Sequence, residues 1–239
     1  MLDIPDLGDD FQQMWRELIR LSKDPPAPWT LIGAHMVTLH GWAKGREQIR
    51  PSIDADVLVN VRAVANGTAL LSSALKQAGY ELEGESPDGI GHRFVKDGTR
   101  IDVLGPDGLG RRARLRTIGS ARTLQVPGGT QALRRTVRLE VRGRFAQGSV
   151  PVPDLLGAIL LKSRAIDVDD QPAAQRRDLA FLLTLVDSPE ELARGLLPTE
   201  RGWIQRHEYL SEPSHRCWRG LRGAEDGAIV YRRLANPQR

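Results

Sequence analysis

Phe11, Met14, Trp15, Leu18, Ile19 and Leu21 recur with the three-to-four spacing of an amphipathic helix, and Asp9 or Asp10 stands where its N-cap belongs. Asp24-Pro25-Pro26-Ala27-Pro28 breaks that helix. A short apolar run, Trp29-Thr30-Leu31-Ile32, then enters Gly33 and a helical pattern reaching Trp42, which reads as a strand–turn–helix unit. Residues 44–52 are polar and read as loop, 55–61 as a buried strand, and 67–78 as a helix closed by Gly79. From His92 to Leu104 two alternating runs flank Asp97-Gly98, the signature of a hairpin with a type I′ turn. Asp102 therefore falls on the second strand of that hairpin, between two apolar neighbours. Residues 105–148 read as irregular, with turns at Pro106-Asp107-Gly108 and Pro127-Gly128-Gly129.

The pattern changes at Val150-Pro151-Val152-Pro153. Beyond it helices are expected over 154–166, 173–186, 189–196, 199–209, 215–221 and 226–234, with Asp154, Thr199 and Asp226 at cap positions. Strands mixed with helices, followed by helices alone, predict an α/β (α+β) fold. A mixed sheet with flanking helices would occupy 1–149 and a mostly helical C-terminal domain 150–239.

Composition narrows the class. A chain of 239 residues, 40% of them hydrophobic, is long enough for a substantial core. No run of about 18 apolar residues is present, so no membrane-spanning helix is expected. The acidic start lacks the apolar segment of a signal peptide, and the lone Cys217 gives neither a disulfide framework nor a cysteine zinc site. A cytoplasmic protein is the simple expectation. The net charge is +4, yet 11 arginines face three carboxylates between residues 100 and 144. GC-rich coding accounts for the excess of arginine over lysine. The clustering leaves open a basic face for phosphates.

The candidate chemistry begins at Arg50-Pro51-Ser52-Ile53-Asp54-Ala55-Asp56-Val57. Two carboxylates one residue apart on a strand point to the same face and suit a hard divalent cation such as Mg2+. Upstream, Gly33 and Ala34 open a helix whose free N–H groups suit a phosphate. If the strand of Asp102 pairs beside that of Asp54 and Asp56, the three carboxylates would converge and could clamp two metals about 4 Å apart. Ser52 either caps its loop or contacts a phosphate, and Arg50 is either a solvated loop charge or a phosphate contact. Lys162, in an otherwise apolar helix, either snorkels to water or lies buried against an acid. Asp178, at the front of the next helix, is the acid in reach. In the second arrangement Lys162 could reach a triphosphate and Asp178 orient it. His35 and His40 read as packed or capping residues, and Trp203, Trp218 and Tyr231 as core.

Taken together, these segments resemble the nucleotidyltransferase family that includes the AbiEii/AbiGii abortive-infection toxins, within the polymerase-β-like nucleotidyltransferase superfamily. The matching pieces are Leu31-Ile32-Gly33-Ala34-His35-Met36-Val37, the Arg50-to-Val59 segment, Arg100-Ile101-Asp102-Val103, and Lys162 with Arg177-Asp178-Leu179. Ala34 and His35 stand where the commoner pattern has a second Gly or Ser. The resemblance implies Mg2+-dependent transfer of a nucleoside monophosphate from an NTP to an acceptor hydroxyl. Asp54, Asp56 and Asp102 would bind the metals, and Gly33, Ala34, Arg50 and Ser52 would cradle the triphosphate. Lys162 and Asp178 would match the late motifs of the toxin branch. It further implies RNA or tRNA as the acceptor and a cognate antitoxin as a partner.

Overall fold

The computed structural model describes residues 1–47, 52, 54–110, 115–170 and 172–236. Two sheets organise the chain. The first contains β2 (Trp29–Ile32), β3 (Asp54–Val59), β4 (Glu81–Leu82), β5 (Arg93–Lys96) and β6 (Thr99–Pro106), in the order β2-β3-β6-β5-β4. A short β7 (Gln125–Val126) pairs with the end of β6. The β3–β6 pairing is parallel, whereas β2–β3, β5–β6 and β4–β5 are antiparallel. The second sheet joins β1 (Leu2–Asp3), β8 (Thr136–Arg142) and β9 (Gln147–Pro153) in the order β1-β8-β9.

The helices follow the apolar pattern. In α1 (Asp9–Lys23), Met14, Trp15, Leu18, Ile19 and Leu21 are buried, and the helix packs on β9 and β6. α2 (Gly33–Ala43) leaves β2 directly, and α3 (Gly67–Gln77) packs on β6. After β9 come α5 (Leu155–Ala165), α6 (Pro172–Leu183), α7 (Pro189–Arg194), α8 (Pro198–Gln205) and α9 (Ala224–Ala235). Between α8 and α9 lie two 3-10 turns, Glu208–Ser211 and Arg216–Trp218. Among the described residues a buried hydrophobic cluster runs from Ile4 through β3 and β6 to Leu234 and Ala235.

Asp97 and Gly98 both adopt positive φ, 45° and 78°, as a type I′ turn requires, and the hairpin register follows from them. Asp154 caps α5 by accepting from the Gly157 N–H at 2.7 Å.

Several expectations are corrected. Residues 105–148 are not irregular: they hold β7, α4 (Gly129–Arg134), β8 and the start of β9. β8 alternates Val137, Leu139 and Val141 with Arg138, Glu140 and Arg142, but only Val141 of the apolar set is buried. Its charged side is held laterally, Arg142 by Asp3 at 2.7 Å and Arg138 by the Ser149 hydroxyl at 2.8 Å. Asp9 and Asp10 sit in the first turn of α1 with Gly8 as N-cap, and Asp9 pairs with Arg144 at 2.6 Å. Thr199 gives way to Leu197 as the N-cap of α8, because Pro198 occupies the first helical position and Glu200 reaches back to the Leu197 N–H at 3.0 Å. Gly223, not Asp226, caps α9, and the helix expected over 215–221 is only the second 3-10 turn.

His35 and His40 are structural, as expected. His35 is buried edge-on against Trp15, with ring centroids 5.6 Å apart, and lies beside Phe11, tying α1 to α2. The Nε2 of His40 lies 2.9 Å from the Pro153 carbonyl. Burial lowers the His35 pKa from 6.5 to about 4. The unfolded chain therefore takes up a proton that the folded chain refuses, and stability is lost as pH falls from 6.5 toward 4. His40 and His207, also lowered by burial, act in the same sense. His35→Leu is expected to reduce, without abolishing, the fall in Tm across that interval, as measured by thermal unfolding at a series of pH values.

Candidate functional site

Parallel pairing of β3 with β6 sets Asp54 opposite Arg100 and Asp56 opposite Asp102. Alternation along both strands puts these four side chains on one face of the sheet, while Ala55, Val57, Ile101 and Val103 fill the core on the other. The antiparallel β5 sets Arg93 opposite Asp102. Three carboxylates and two guanidiniums thus share a patch two strands wide and extending onto a third.

Asp56 lies deepest. Its strand pairs it with Ile32, the residue before α2, and its Oδ2 rests against Gly33. A Cβ at Gly33 would fall 1.8 Å from that oxygen, and Gly33 has φ +71°, so neither space nor backbone admits a side chain there. Asp56 keeps part of its surface open toward the site but is ringed by protein. Burial first, then the charges of Asp102 and Asp54, raise its pKa from 3.8 to about 7, against opposing pulls from Lys162 and Arg93. Asp54 Oδ1 is buried and accepts no hydrogen bond among the described residues, and Arg100 Nη1 stands 3.7 Å from it. The Ser52 hydroxyl lies 3.4 Å from the Asp54 N–H and stays close to that backbone.

Asp102 is buried and gripped by Arg93 through both oxygens: Nε donates to Oδ1 at 3.0 Å and Nη2 to Oδ2 at 3.1 Å. The same Nη2 lies 4.0 Å from Asp54 Oδ2, and Nη1 faces Glu83 Oε2 at 3.6 Å. Glu83 also stands 3.9 Å from Arg100, and His92 Nε2 is 3.6 Å from Asp102 Oδ2. Beside them a cavity of about 320 Å³ is lined by Glu83, Glu85, Ile90, His92 and Arg93. Among the described residues no three His, Cys, Asp or Glu side chains stand as a set ready to hold a metal ion, and Asp102 is turned to Arg93.

Lys162 does not snorkel. It is buried on α5, and its Nζ donates to Asp178 Oδ2 at 2.8 Å and Gln175 Oε1 at 2.7 Å. Asp178 on α6 is buried as well. Lys162 is close enough to Asp56 to pull its pKa down.

The structure therefore brings Gly33, Ala34, Ser52, Asp54, Asp56 and Asp102 to one region, with Lys162 and Asp178 behind it. Arg50 lies outside the described residues, as do Arg111, Arg112 and Arg114 of the arginine-rich segment. Arg135 of that segment pairs with the buried Glu200 at 2.8 Å, and Arg142 and Arg144 pair with the acidic N-terminus. Sequence reasoning missed Arg93, Glu83, His92 and Gln175. For Arg93 a signal existed: a two-residue Asp97-Gly98 turn pairs Lys96 with Thr99 and, counting outward, Arg93 with Asp102.

No protein-family model matches the chain, and no curated protein matches it significantly. Its fold is similar to the crystal structure of an antigenic nucleotidyltransferase-like protein from Paracoccidioides brasiliensis, with a TM-score of 0.48 at 13% identity over 85% of this chain and 91% of that one. Among the described residues no helix is long and apolar enough to cross a membrane.

Two outcomes test the packing of the site. Gly33→Ala is expected to cost more than about 2 kcal/mol in urea unfolding, since it adds a collision to the left-handed backbone penalty. Gly45→Ala carries only the backbone penalty, because Gly45 has φ +62° and open space around its Cβ, and so serves as the reference. Lys162→Met is expected to destabilise by about 3 kcal/mol in the same assay, because it strips a buried carboxylate of its ammonium.

Proposed function

We propose that this chain is a Mg2+-dependent nucleotidyltransferase that moves a nucleoside monophosphate from an NTP to an acceptor hydroxyl on RNA, tRNA being the favoured acceptor. The observation that carries this reading is the convergence of Asp54, Asp56 and Asp102 through the parallel β3–β6 pairing, beside a glycine turn that opens a helix. The sequence resemblance to the AbiEii/AbiGii toxins supports a toxin-like role restrained by a cognate antitoxin.

The chemistry of the donors present suits a divalent cation, although Asp102 is turned to Arg93. All three donors are hard carboxylate oxygens, one oxygen of Asp54 is buried without a hydrogen bond, and Asp56 is pushed up to about 7 by burial and then by the neighbouring carboxylates. Asp54 and Asp56 would hold the metal, with Asp102 as the third carboxylate. When bound, the ion would neutralise phosphate charge and favour ionisation of the acceptor hydroxyl. The chain's own residues supply the rest. The N–H groups at Gly33 and Ala34, with Ser52 and Arg50, would seat the triphosphate. Lys162, fixed by Asp178 and Gln175, would add positive potential from below. Arg93 and Arg100 flank the face on which an RNA phosphate would lie. In this reading residues 1–149 form the catalytic α/β domain and 150–239 a helical domain that contributes Lys162 and Asp178.

The test combines purified protein, Mg2+, each α-labelled NTP in turn and total RNA, with Asp56→Ala alongside. Label in a discrete RNA band is expected, together with its loss in Asp56→Ala while that variant keeps a cooperative thermal transition. Label in a small molecule or in protein would replace the RNA acceptor. Nucleotide binding without any transfer would make the chain a binding module instead.

A further inference from the structure

We propose that Arg93 occupies the place of a divalent cation at the carboxylate cluster, and that metal enters by displacing this guanidinium onto Glu83. The inference rests on the metal-dependent reading above. Its geometric basis is that one nitrogen, Arg93 Nη2, lies between carboxylates from two different strands, 3.1 Å from Asp102 Oδ2 and 4.0 Å from Asp54 Oδ2. Arg93 thus puts a positive charge where carboxylates of both strands meet, the place where a divalent cation would also be drawn. With Nε also on Asp102, the guanidinium engages both oxygens of the third carboxylate and competes with a metal for them.

The hold is strong in geometry but open to exchange. The Arg93 side chain is 38% exposed, and at such sites solvent screens much of an ion pair's strength. A place to go is already built. Nη1 faces Glu83 at 3.6 Å, just beyond the end of β4, where Glu83 also stands 3.9 Å from Arg100. A modest swing would trade Asp102 for Glu83 and leave the arginine's charge paired. The exchange has a use in the folded chain: without metal, three carboxylates on adjacent strands would repel one another, and Arg93 keeps them together until the ion arrives. Arg100 lies near by, 3.7 Å from Asp54, but makes no bond to Asp102, so it serves as the built-in comparison.

Mn2+ is the probe, as a stand-in for Mg2+, with binding read by calorimetry on the full chain and no dependence on turnover. Arg93→Ala is expected to bind Mn2+ about tenfold more tightly than the wild type, since one charge-assisted contact no longer competes. Arg93→Gln, which can still hydrogen-bond Asp102 and hold the hairpin, should change in the same direction. Arg100→Ala should tighten binding by less than about threefold, the share of general electrostatics at a screened surface. Glu83→Gln should weaken binding, because the displaced guanidinium loses its anionic partner.

Equal gains in the Arg93 and Arg100 variants would overturn the exchange and leave only bulk charge. So would unchanged or weaker binding in both Arg93 variants, which would make Arg93 a permanent strand clip. Binding in the Arg93 variants but not in the wild type would support displacement in its strongest form. Absence of Mn2+ binding in every protein would overturn the exchange and the metal-dependent function together, whereas wild-type binding without the Arg93 effect overturns the exchange alone.

Discussion

Electrostatic repulsion among Asp54, Asp56 and Asp102 is the constraint around which this end of the molecule is arranged. Parallel strands bring the three to one face, and a buried carboxylate there is costly enough to raise the Asp56 pKa to about 7. The surroundings answer in layers. Arg93 neutralises Asp102 from the neighbouring strand, Arg100 approaches Asp54, and Lys162 contributes from the helices beneath. A fold selected for stability alone would place apolar residues here. Retaining the charges concentrates strain where a cation could relieve it.

The packing that supports the cluster is correspondingly exacting. Gly33 yields its side-chain volume to Asp56, and the helix it opens is fastened to α1 by His35, Trp15 and Trp42. The neutral histidine fits that aromatic wedge because burial removes its charge near neutrality. The turn whose sequence reads as a phosphate cradle thus also makes room for a carboxylate.

Much of this was legible in the sequence. The β2–Gly33–α2 unit, the Asp54-to-Val59 strand and the Asp97-Gly98 hairpin follow from periodicity and turn chemistry, which act locally. Asp154 capped its helix as expected for the same reason. Strand order is not local: nothing in the chain before folding states that β6 lies beside β3. The convergence of the three carboxylates could be posed only as a condition. β8 escaped notice because its charged positions are satisfied by partners remote in sequence, Asp3 and the Ser22 carbonyl, and its apolar positions are only partly buried. Lys162 illustrates the limit of composition, since snorkelling and burial are equally consistent with one lysine in an apolar helix. The choice is made by Asp178 and Gln175, one helix later.

The position of that lysine carries a temporal consequence. The carboxylates belong to β3 and β6, but their deepest positive neighbour belongs to α5 and is locked only when α6 arrives. A ribosome releases these segments in order, so the carboxylate strands emerge long before Lys162, Gln175 and Asp178 can pair. Arg93 and Arg100 emerge with the carboxylate strands themselves, whereas Lys162 and its partners follow later in the chain. The full set of charges around Asp56 is therefore complete only once residues up to Asp178 are in place.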